Sequence, residues 1–240
     1  EVGGHISEYM SRHKAQELIR HADSIYMKFG APDTVHGLDD RKVDEIAYEA
    51  SRHNIRLVPC PVRHLGTEYA GAVLEAMHDY LVSKTNTTFA ELTTATEILV
   101  EAGQVVGVRL QTRGKEPWVA YSQHVVAAPG RGGAEWLTAQ AAQLGLRTQN
   151  NEVDIGVRVE LPAEIFAHLT DELYESKIVY RTEKYGDLVR TFCMNPKGAV
   201  VNENTNGIIT VNGHSYEDPA LQTGNTNFAL LVSKHFSEPF

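Results

Sequence analysis

Cys193 and His214 are the only pair of residues in this sequence that suggests nucleophilic thiol chemistry. A thiolate activated by an imidazole attacks a carbonyl carbon, which is the first step of a cysteine hydrolase. Both residues fall on predicted strands or turns, and no nucleophile-bearing helix accompanies them. A buried thiol and a histidine in a turn therefore explain the pair more simply than a hydrolase does.

A second candidate for chemistry is the segment from Val125 to Arg131, where an apolar run ends in Pro129-Gly130. Glycine lets the backbone approach a ligand closely, and α/β sheets bind ligands beyond the carboxyl ends of their strands. Arg131 is either positioned to meet an anionic group or is a solvated turn residue. The same pattern also fits an ordinary strand-to-helix turn.

The dipeptide Gly66-Thr67 stands at the start of a predicted helix. Unpaired amides at a helix start can bind a phosphate group. Simple capping of the helix by Thr67 is the alternative, and it is the one we favour.

No metal site is expected. The eleven histidines include neither a His-x-His nor a His-Glu-x-x-His motif. The two cysteines, Cys60 and Cys193, lie too far apart for a metal knuckle and are too few for a disulfide framework. This cysteine usage fits a reducing compartment.

The sequence predicts helices and a crossover connection in the first half of the chain, which would hold the candidate residues in place. Residues 1–54 are predicted to be mostly helical, because their apolar residues recur at three- and four-residue steps. A strand, a helix and a second strand then succeed one another in the order of a βαβ crossover. They are predicted over Ile55–Val58, Thr67–Lys84 and Thr87–Leu92.

The pattern then changes to short strands and glycine turns. An antiparallel meander is predicted over Ile98–Val100, Val105–Leu110 and Trp118–Tyr121, followed by a buried strand at His124–Ala128. From Val153 onward the chain is rich in strands. We therefore expect an α/β protein with a helical region (1–54), a three-layer α/β domain (55–150) and a strand-rich α+β domain (151–240).

Composition excludes several classes of protein. The chain has 22 basic and 31 acidic side chains and a net charge of −9, so it lacks the basic surface that a nucleic-acid binder needs. A hydrophobic share of 42% is typical of a globular core. No apolar run approaches the ~18 residues of a membrane span, so no membrane partner is expected and the cytoplasm is the expected location. The start at Glu1 suggests a fragment.

One family resemblance lies in the middle of the chain. The segments Thr94–Ile98, Gly103–Val108 and Val125–Gly130 resemble the latter part of an FAD-binding domain of the glutathione-reductase type. In that family, a strand ending in an alanine-threonine-glycine triplet passes beside FAD. This sequence has Ala128-Pro129-Gly130, and the proline removes an amide donor and a hydroxyl. The family contacts adenine through the backbone at the position of Ala95.

A closer resemblance covers almost the whole chain and rests on five blocks in the same order. The blocks are similar to the uncharacterised FAD-dependent dehydrogenases of bacteria. This resemblance implies a two-domain flavoprotein, in which a partial FAD/NAD(P)-binding domain is interrupted by a substrate-side domain. The five blocks are Phe29–Pro32, Arg63–Glu68, Ile155–Glu160, Phe192–Gly198 and Val211–Tyr216.

The resemblance also implies candidate site residues. Polar loops of the substrate-side domain line the active cleft, so Asn212, His214, Ser215 and Tyr216 are candidates to face the flavin or the substrate. The catalytic candidates are Cys193, Asn212 and His214. The candidate FAD-binding residues are Gly66, Thr67, Ala95, Ala128, Gly130 and Arg131.

Two parts of such flavoproteins are missing from this sequence. It contains neither the Gly-x-Gly-x-x-Gly turn that holds the FAD pyrophosphate nor the closing glycine-rich flavin segment. We therefore expect an internal fragment that binds FAD weakly or not at all and is inactive by itself. The intact protein would transfer hydride between FAD and an organic substrate.

The alternative is a non-catalytic module that binds a ligand or a protein, and a hydrolase built on Cys193 and His214 ranks last. The sequence leaves the substrate, the electron partner and the oligomeric state open.

Overall fold

The structure, a computed structural model, describes residues 6–237 of the chain. The helices are α1 (Ile6–Tyr9), α2 (Arg12–Lys28), α3 (Asp40–Ser51), α4 (Thr67–Lys84), α5 (Ala134–Gln143) and α6 (Ala163–Leu173). The strands are β1 (Ile55–Leu57), β2 (Thr93–Glu101), β3 (Gln104–Thr112), β4 (Trp118–Tyr121), β5 (Glu152–Pro162), β6 (Ile178–Arg181), β7 (Leu188–Asn195), β8 (Ala199–Thr205), β9 (Ile208–His214) and β10 (Asn225–His235). The protein is thus a mixed α/β protein with antiparallel sheets.

The described residues form two compact units. The first combines residues 6–80 with Glu152–Glu203 and Thr210–Ser237, and the second contains Leu81–Asn151 and Asn204–Ile209. This division differs from the three successive domains expected, because the helical region and β1 belong to the same unit as the strands that follow Glu152.

The first unit contains a five-stranded sheet in the order β1-β6-β7-β10-β5. Every neighbouring pair in it is antiparallel. The strand β10 lies between β7 and β5, so it supplies both with hydrogen bonds. The strand β5 forms one edge of this sheet.

Helices α3 and α6 supply the apolar cover at the β1 end of that sheet. Val43 of α3, Leu57 of β1 and Leu173 of α6 are buried together. Partly buried side chains extend this core, namely Ile46, Ala47 and Ile178. The apolar stripe predicted for α3 therefore has the role expected of it.

Side-chain caps fix the starts of the first long helices. The Ser11 hydroxyl accepts a hydrogen bond from the Lys14 amide at 3.4 Å and begins α2. The Asp39 carboxylate accepts one from the Lys42 amide at 3.3 Å and begins α3. Serine and aspartate are among the residues that most often cap helix starts in this way.

The predicted βαβ crossover is wrong. The strand β1 pairs antiparallel with β6, and no strand covers Thr87–Leu92. The Thr85 hydroxyl instead bonds the Leu81 carbonyl at 2.6 Å and the Thr87 hydroxyl at 2.7 Å. Hydroxyls near a helix end commonly compete with ladder bonds in this way, and the strand β2 begins only at Thr93.

The second unit contains the predicted meander. The strands β2, β3 and β4 are antiparallel neighbours in that order. The helix α5 packs against β2, where the Gln140 side chain accepts a hydrogen bond from the Ile98 amide at 2.8 Å. This amide is available because β2 is an edge strand of its sheet and has a strand neighbour on one side only.

The predicted buried strand at His124–Ala128 is also wrong. These residues belong to no strand, and the Val126 side chain is 92% exposed. A strand needs a hydrogen-bonded neighbour, and none of the described strands pairs with this segment. The apolar pattern of this segment suggested a strand, but such a pattern does not reveal whether a pairing partner exists.

None of the helices within residues 6–237 combines the length and the apolar character needed to cross a membrane.

Candidate functional site

The polar residues of the first unit converge where β7 meets β10. Arg158, Cys193, Asn195, Asn212 and Asn227 form what we call the asparagine cluster. Asn195 and Asn227 lie opposite each other, and the register of the two strands shifts between Asn227 and Ala229. Such bulges occur next to active sites, where they re-aim side chains.

Cys193 has an unusual backbone at this bulge. Its φ is +46°, in the left-handed region that a side chain other than glycine rarely adopts. The surrounding sheet holds this conformation in place. Strained residues of this kind are concentrated at functional sites, so the conformation directs attention to the cluster.

Arg158 connects three strands of the cluster. Its Nε donates to the Asn227 side-chain carbonyl at 2.8 Å, and its Nη2 donates to the Cys193 backbone carbonyl at 2.8 Å. The same carbonyl accepts a bond from Asn195 Nδ2 at 2.7 Å. Both partners of the guanidinium are therefore neutral.

The backbone of Gly213 in β9 packs directly against the side chains of the asparagine cluster. A Cβ atom at this position would lie closer than 3.0 Å to Arg158 Nη2, Asn227 Oδ1 and Asn195 Nδ2. Only glycine therefore lets β9 approach these side chains so closely.

The Cys193 thiol has amides as its neighbours. Its Sγ lies 3.7 Å from Asn212 Oδ1 and 3.8 Å from Asn195 Nδ2. Within residues 6–237, no hydrogen bond joins it to His214. Two of the three catalytic candidates, Cys193 and Asn212, are thus brought together, whereas a thiolate–imidazole pair is not formed.

A second group of polar side chains surrounds Ser215 directly after β9. The Ser215 hydroxyl lies 2.6 Å from the Tyr174 hydroxyl, 3.2 Å from Asn195 Oδ1 and 3.4 Å from His64 Nε2. It therefore links the asparagine cluster to His64 and Tyr174. Ser215 itself is buried.

Burial governs the protonation of this second group. It lowers the pKa of His64 to about 4, although the nearby Glu68 carboxylate opposes the shift. It also raises the pKa of Tyr174, despite the hydrogen bond with Ser215. Both groups are therefore neutral near pH 7.

The start of α4 does not present open amides as the phosphate hypothesis requires. Thr67 begins the helix rather than capping it, and its amide donates to the Ser215 carbonyl at 3.0 Å. The Glu68 carboxylate accepts a bond from the Asp218 amide at 2.8 Å. Its other oxygen would contact a Cβ at Gly66, where φ is +79°. An internal carboxylate thus occupies this helix start.

The electrostatics of Glu68 agree with that geometry. Burial disfavours its charged form, but hydrogen bonds from the amides of Asp218, Glu68 itself and Glu217 lower its pKa overall. The carboxylate is therefore ionised near pH 7 and repels a second anion.

The remaining FAD-binding candidates lie in the second unit. Ala95 is a half-buried residue of β2, and Ala128 is exposed in the irregular segment before α5. Gly130 has φ +65° and ψ −168°, a conformation nearly restricted to glycine, and the space beside its Cα is open. Arg131 opens the 3₁₀ turn before α5. The predicted set is therefore divided between the two units.

Three residues of the asparagine cluster were not among the predicted site residues. Arg158 and Asn195 lie inside recognised sequence blocks, and Asn227 precedes the apolar run Phe228–Val232. The apolar pattern gave no signal for Arg158 or Asn195, since Arg158 keeps the apolar–polar alternation of β5 and Asn195 is the last residue of β7. Only Asn227, a polar residue within β10 directly before its apolar run, departs from that pattern.

Metal ligation does not explain the cluster. Over residues 6–237, no group of three or more His, Cys, Asp or Glu residues is arranged to hold a metal ion.

No protein-family model matches the chain, and a comparison with curated protein sequences finds no relative.

Proposed function

We propose that this chain is part of a flavin-dependent oxidoreductase that transfers hydride between FAD and an organic substrate, and that the chain is inactive by itself. In this proposal, the first unit is the substrate side of the enzyme and the asparagine cluster belongs to its active cleft. FAD supplies the redox chemistry when bound, because its ring accepts a hydride that no amino-acid side chain can take up.

One observation carries the proposal: the five sequence blocks of the resemblance are joined by direct hydrogen bonds. Arg63 donates to the Pro32 carbonyl at 2.5 Å, which joins the first two blocks. Thr67 donates to the Ser215 carbonyl at 3.0 Å, which joins the second block to the fifth.

The other blocks are joined in the same way. Arg158 bonds Cys193 at 2.8 Å, and Ser215 bonds Asn195 at 3.2 Å. Blocks scattered over almost 190 residues, from Phe29 to Tyr216, thus belong to one connected set of contacts. This is the arrangement expected of residues that serve one site.

The residues of the chain fit FAD only in part. The open, glycine-only turn at Gly130 allows a ligand to approach the backbone closely. The start of α4 does not fit the pyrophosphate, because the Glu68 carboxylate occupies it and the Thr67 amide is already bonded. We therefore withdraw Gly66 and Thr67 as phosphate ligands and derive no catalytic step through the cofactor.

The second candidate function, a non-catalytic binding module, is favoured by the surface of β5. Val153, Ile155 and Val157 alternate along this edge strand and are all exposed. Alternating apolar residues on one face of a strand normally pack against another layer. A module of this kind would need no flavin.

The two candidate functions are distinguished by testing whether the protein encoded by the whole natural gene contains FAD. We expect this protein to be yellow after purification and to release FAD on heat denaturation. Colourless protein that cannot be loaded with FAD would refute the oxidoreductase proposal and favour the binding module.

Variants of that protein test the role assigned to the cluster. Asn212→Ala is expected to shift the visible spectrum of the bound flavin or its reduction by reductants, whereas Asn86→Ala, in the exposed segment after α4, leaves both unchanged. The cytoplasmic location and the absence of nucleic-acid and membrane partners stay predictions from composition.

A further inference from the structure

Arg158 carries a positive charge, but its guanidinium contacts only neutral groups among the residues that the structure describes. Its hydrogen-bond partners are the Asn227 side chain and the Cys193 carbonyl, and no carboxylate among residues 6–237 forms an ion pair with it. Glu160 lies only two residues further along β5, yet it is not paired with the guanidinium. An unpaired cation that is partly removed from water costs free energy, so its retention needs a reason.

Comparable arginines of the first unit behave differently. Arg63 forms a two-point ion pair with Asp23, at 2.7 and 2.9 Å. Arg190 pairs with Asp154. Both side chains are mostly buried, and each has a carboxylate partner. Carboxylates are abundant in a chain of net charge −9, yet the partly buried guanidinium of Arg158 has only neutral hydrogen-bond partners.

Asn227 provides the second, independent observation. The residue is completely buried, at 0% exposure, and its Nδ2 group has no hydrogen-bond partner among the described residues. Its Oδ1 is already used by Arg158, so the amide orientation is fixed. A buried donor without an acceptor costs about 1–3 kcal/mol, and native structures contain few of them.

The guanidinium of Arg158 and the side-chain amide of Asn227 lie next to each other in the sheet. Arg158 and Asn227 lie on the paired strands β5 and β10, and Gly213 packs against both side chains. Groups fixed by paired strands keep their geometry better than groups on loops do. A cation and an amide donor held side by side are what a carboxylate needs, since its two oxygens accept hydrogen bonds and its charge is balanced.

We propose that Arg158 and Asn227 form a subsite for the carboxylate group of a small organic acid. The proposal rests on the proposed function in one respect: it makes the substrate of the oxidoreductase an organic acid, whose carboxylate is held by Arg158. Arg158 is here a binding residue and takes no part in bond making or breaking.

The test measures anion binding by the 240-residue chain without any flavin. Acetate, succinate and inorganic phosphate are titrated while the thermal unfolding midpoint is recorded, with choline chloride at matched ionic strength as the salt control. Succinate or acetate is expected to raise the midpoint in a saturable way, as a ligand of the native state does. Phosphate is expected to bind more weakly, because it does not match the planar fork of the guanidinium as a carboxylate does.

Two variants test whether the carboxylates bind at Arg158 and Asn227. Arg158→Gln removes the charge, and Asn227→Asp places an internal carboxylate against the guanidinium and so fills the subsite from within. Each is expected to weaken carboxylate binding at least about tenfold. Asn227→Asp is also expected to keep the fold, because the new carboxylate pairs with Arg158. Arg181→Gln, at an exposed arginine of β6, is expected to bind as the unmodified chain does.

The proposal is overturned if the carboxylates cause no saturable shift, if phosphate alone binds, or if Asn227→Asp binds them unchanged. None of these outcomes involves the flavin. If the protein encoded by the whole gene is colourless but carboxylates bind, the oxidoreductase proposal is refuted and the carboxylate site stands. If that protein contains FAD but carboxylates do not bind, the oxidoreductase proposal stands and the carboxylate site is refuted.

Discussion

The imidazole of His64 stacks on the phenol ring of Tyr174, with ring centroids 4.3 Å apart and planes inclined by 26°. His36 contacts the same phenol from another position, with centroids 5.1 Å apart. Tyr174 is thus flanked by two histidines, and its hydroxyl bonds Ser215 at 2.6 Å. Protonation of His64 would place a charge inside this stack.

The first prediction concerns pH. The pKa of His64 is about 4 in the folded chain and 6.5 in the unfolded one, so the unfolded state binds more protons between these values. The stabilising contribution of neutral His64 to the free energy of unfolding is therefore fully present above pH 6.5. About 3 kcal/mol of it is lost as the pH falls toward 4. Urea unfolding at pH 7.5, 5.5 and 4.5 measures this slope.

His64→Gln is expected to flatten the slope, whereas His13→Gln, at an exposed position of α2, leaves it unchanged. An equally steep slope in His64→Gln would show that other groups cause the pH dependence.

The second prediction concerns the close approach of β9. Gly213→Ala introduces a Cβ that collides with Arg158, Asn195 and Asn227. We expect it to lower the free energy of unfolding by about 1–3 kcal/mol, the usual cost of overpacking. Gly71→Ala is the matched control, because its Cβ meets nothing within 4 Å in the middle of α4. The control is expected to stabilise the chain by about 0.5–1 kcal/mol. Equal stability of the two variants would contradict the packing described.

The third prediction concerns Arg63. Its guanidinium bonds both carboxylate oxygens of Asp23 and the Pro32 carbonyl, and the hydrogen bond with Arg63 lowers the pKa of Asp23. Arg63→Gln is expected to cost about 1–3 kcal/mol of unfolding free energy, since charge-assisted bonds in a half-buried place are lost. Arg109→Gln breaks the exposed pair with Glu97 and is expected to cost at most about 1 kcal/mol. Denaturant midpoints compare the two, and a larger loss for Arg109→Gln would be inconsistent with the structure.

The fourth prediction concerns the carboxylate at the start of α4. Because the pKa of Glu68 is lowered in the folded chain, its contribution to stability is present above pH 4.5 and is lost as the pH falls through the folded value. Glu68→Gln should thus be less stable than the unmodified chain at pH 7, and the difference should shrink in acid. Glu75→Gln, exposed on the same helix, serves as the control. A difference that does not depend on pH would rule out the carboxylate as the cause.

Local structure was largely predictable from the sequence. The helices α2, α3 and α4 lie where apolar residues recur at helical spacing, because a period of 3.6 residues is a local property. The side-chain caps of α2 and α3 are local as well. The dipeptide Asn206-Gly207 between β8 and β9 is also a local signal, since Asn-Gly readily adopts the positive φ values that a hairpin turn needs, and both residues have them here.

Which strands pair with one another was not predictable from the sequence. The strand β1 finds its partner β6 more than a hundred residues later, and nothing within Ile55–Leu57 specifies that partner. The sequence order therefore suggested a crossover that does not exist. The segment His124–Ala128 has the apolar pattern of a strand but no neighbouring strand, and it is therefore irregular.

Only two of the five residues of the asparagine cluster, Cys193 and Asn212, were candidates from the sequence. Cys193 and Asn212 were expected at one site, and they lie 3.7 Å apart. The contribution of Asn227 depends on a missing acceptor, which becomes visible only when every neighbour of its amide is known.

The central place of β10 in the first sheet has a consequence for synthesis on the ribosome. Both β5 and β7 hydrogen-bond to β10, and β5 has no other neighbour in the sheet. When β5 emerges, its only partner has not yet been translated. The nascent chain must therefore hold an unpaired, partly apolar strand until the last strand of the sheet appears. The first sheet therefore cannot be completed before β10 has been synthesised and has left the ribosome.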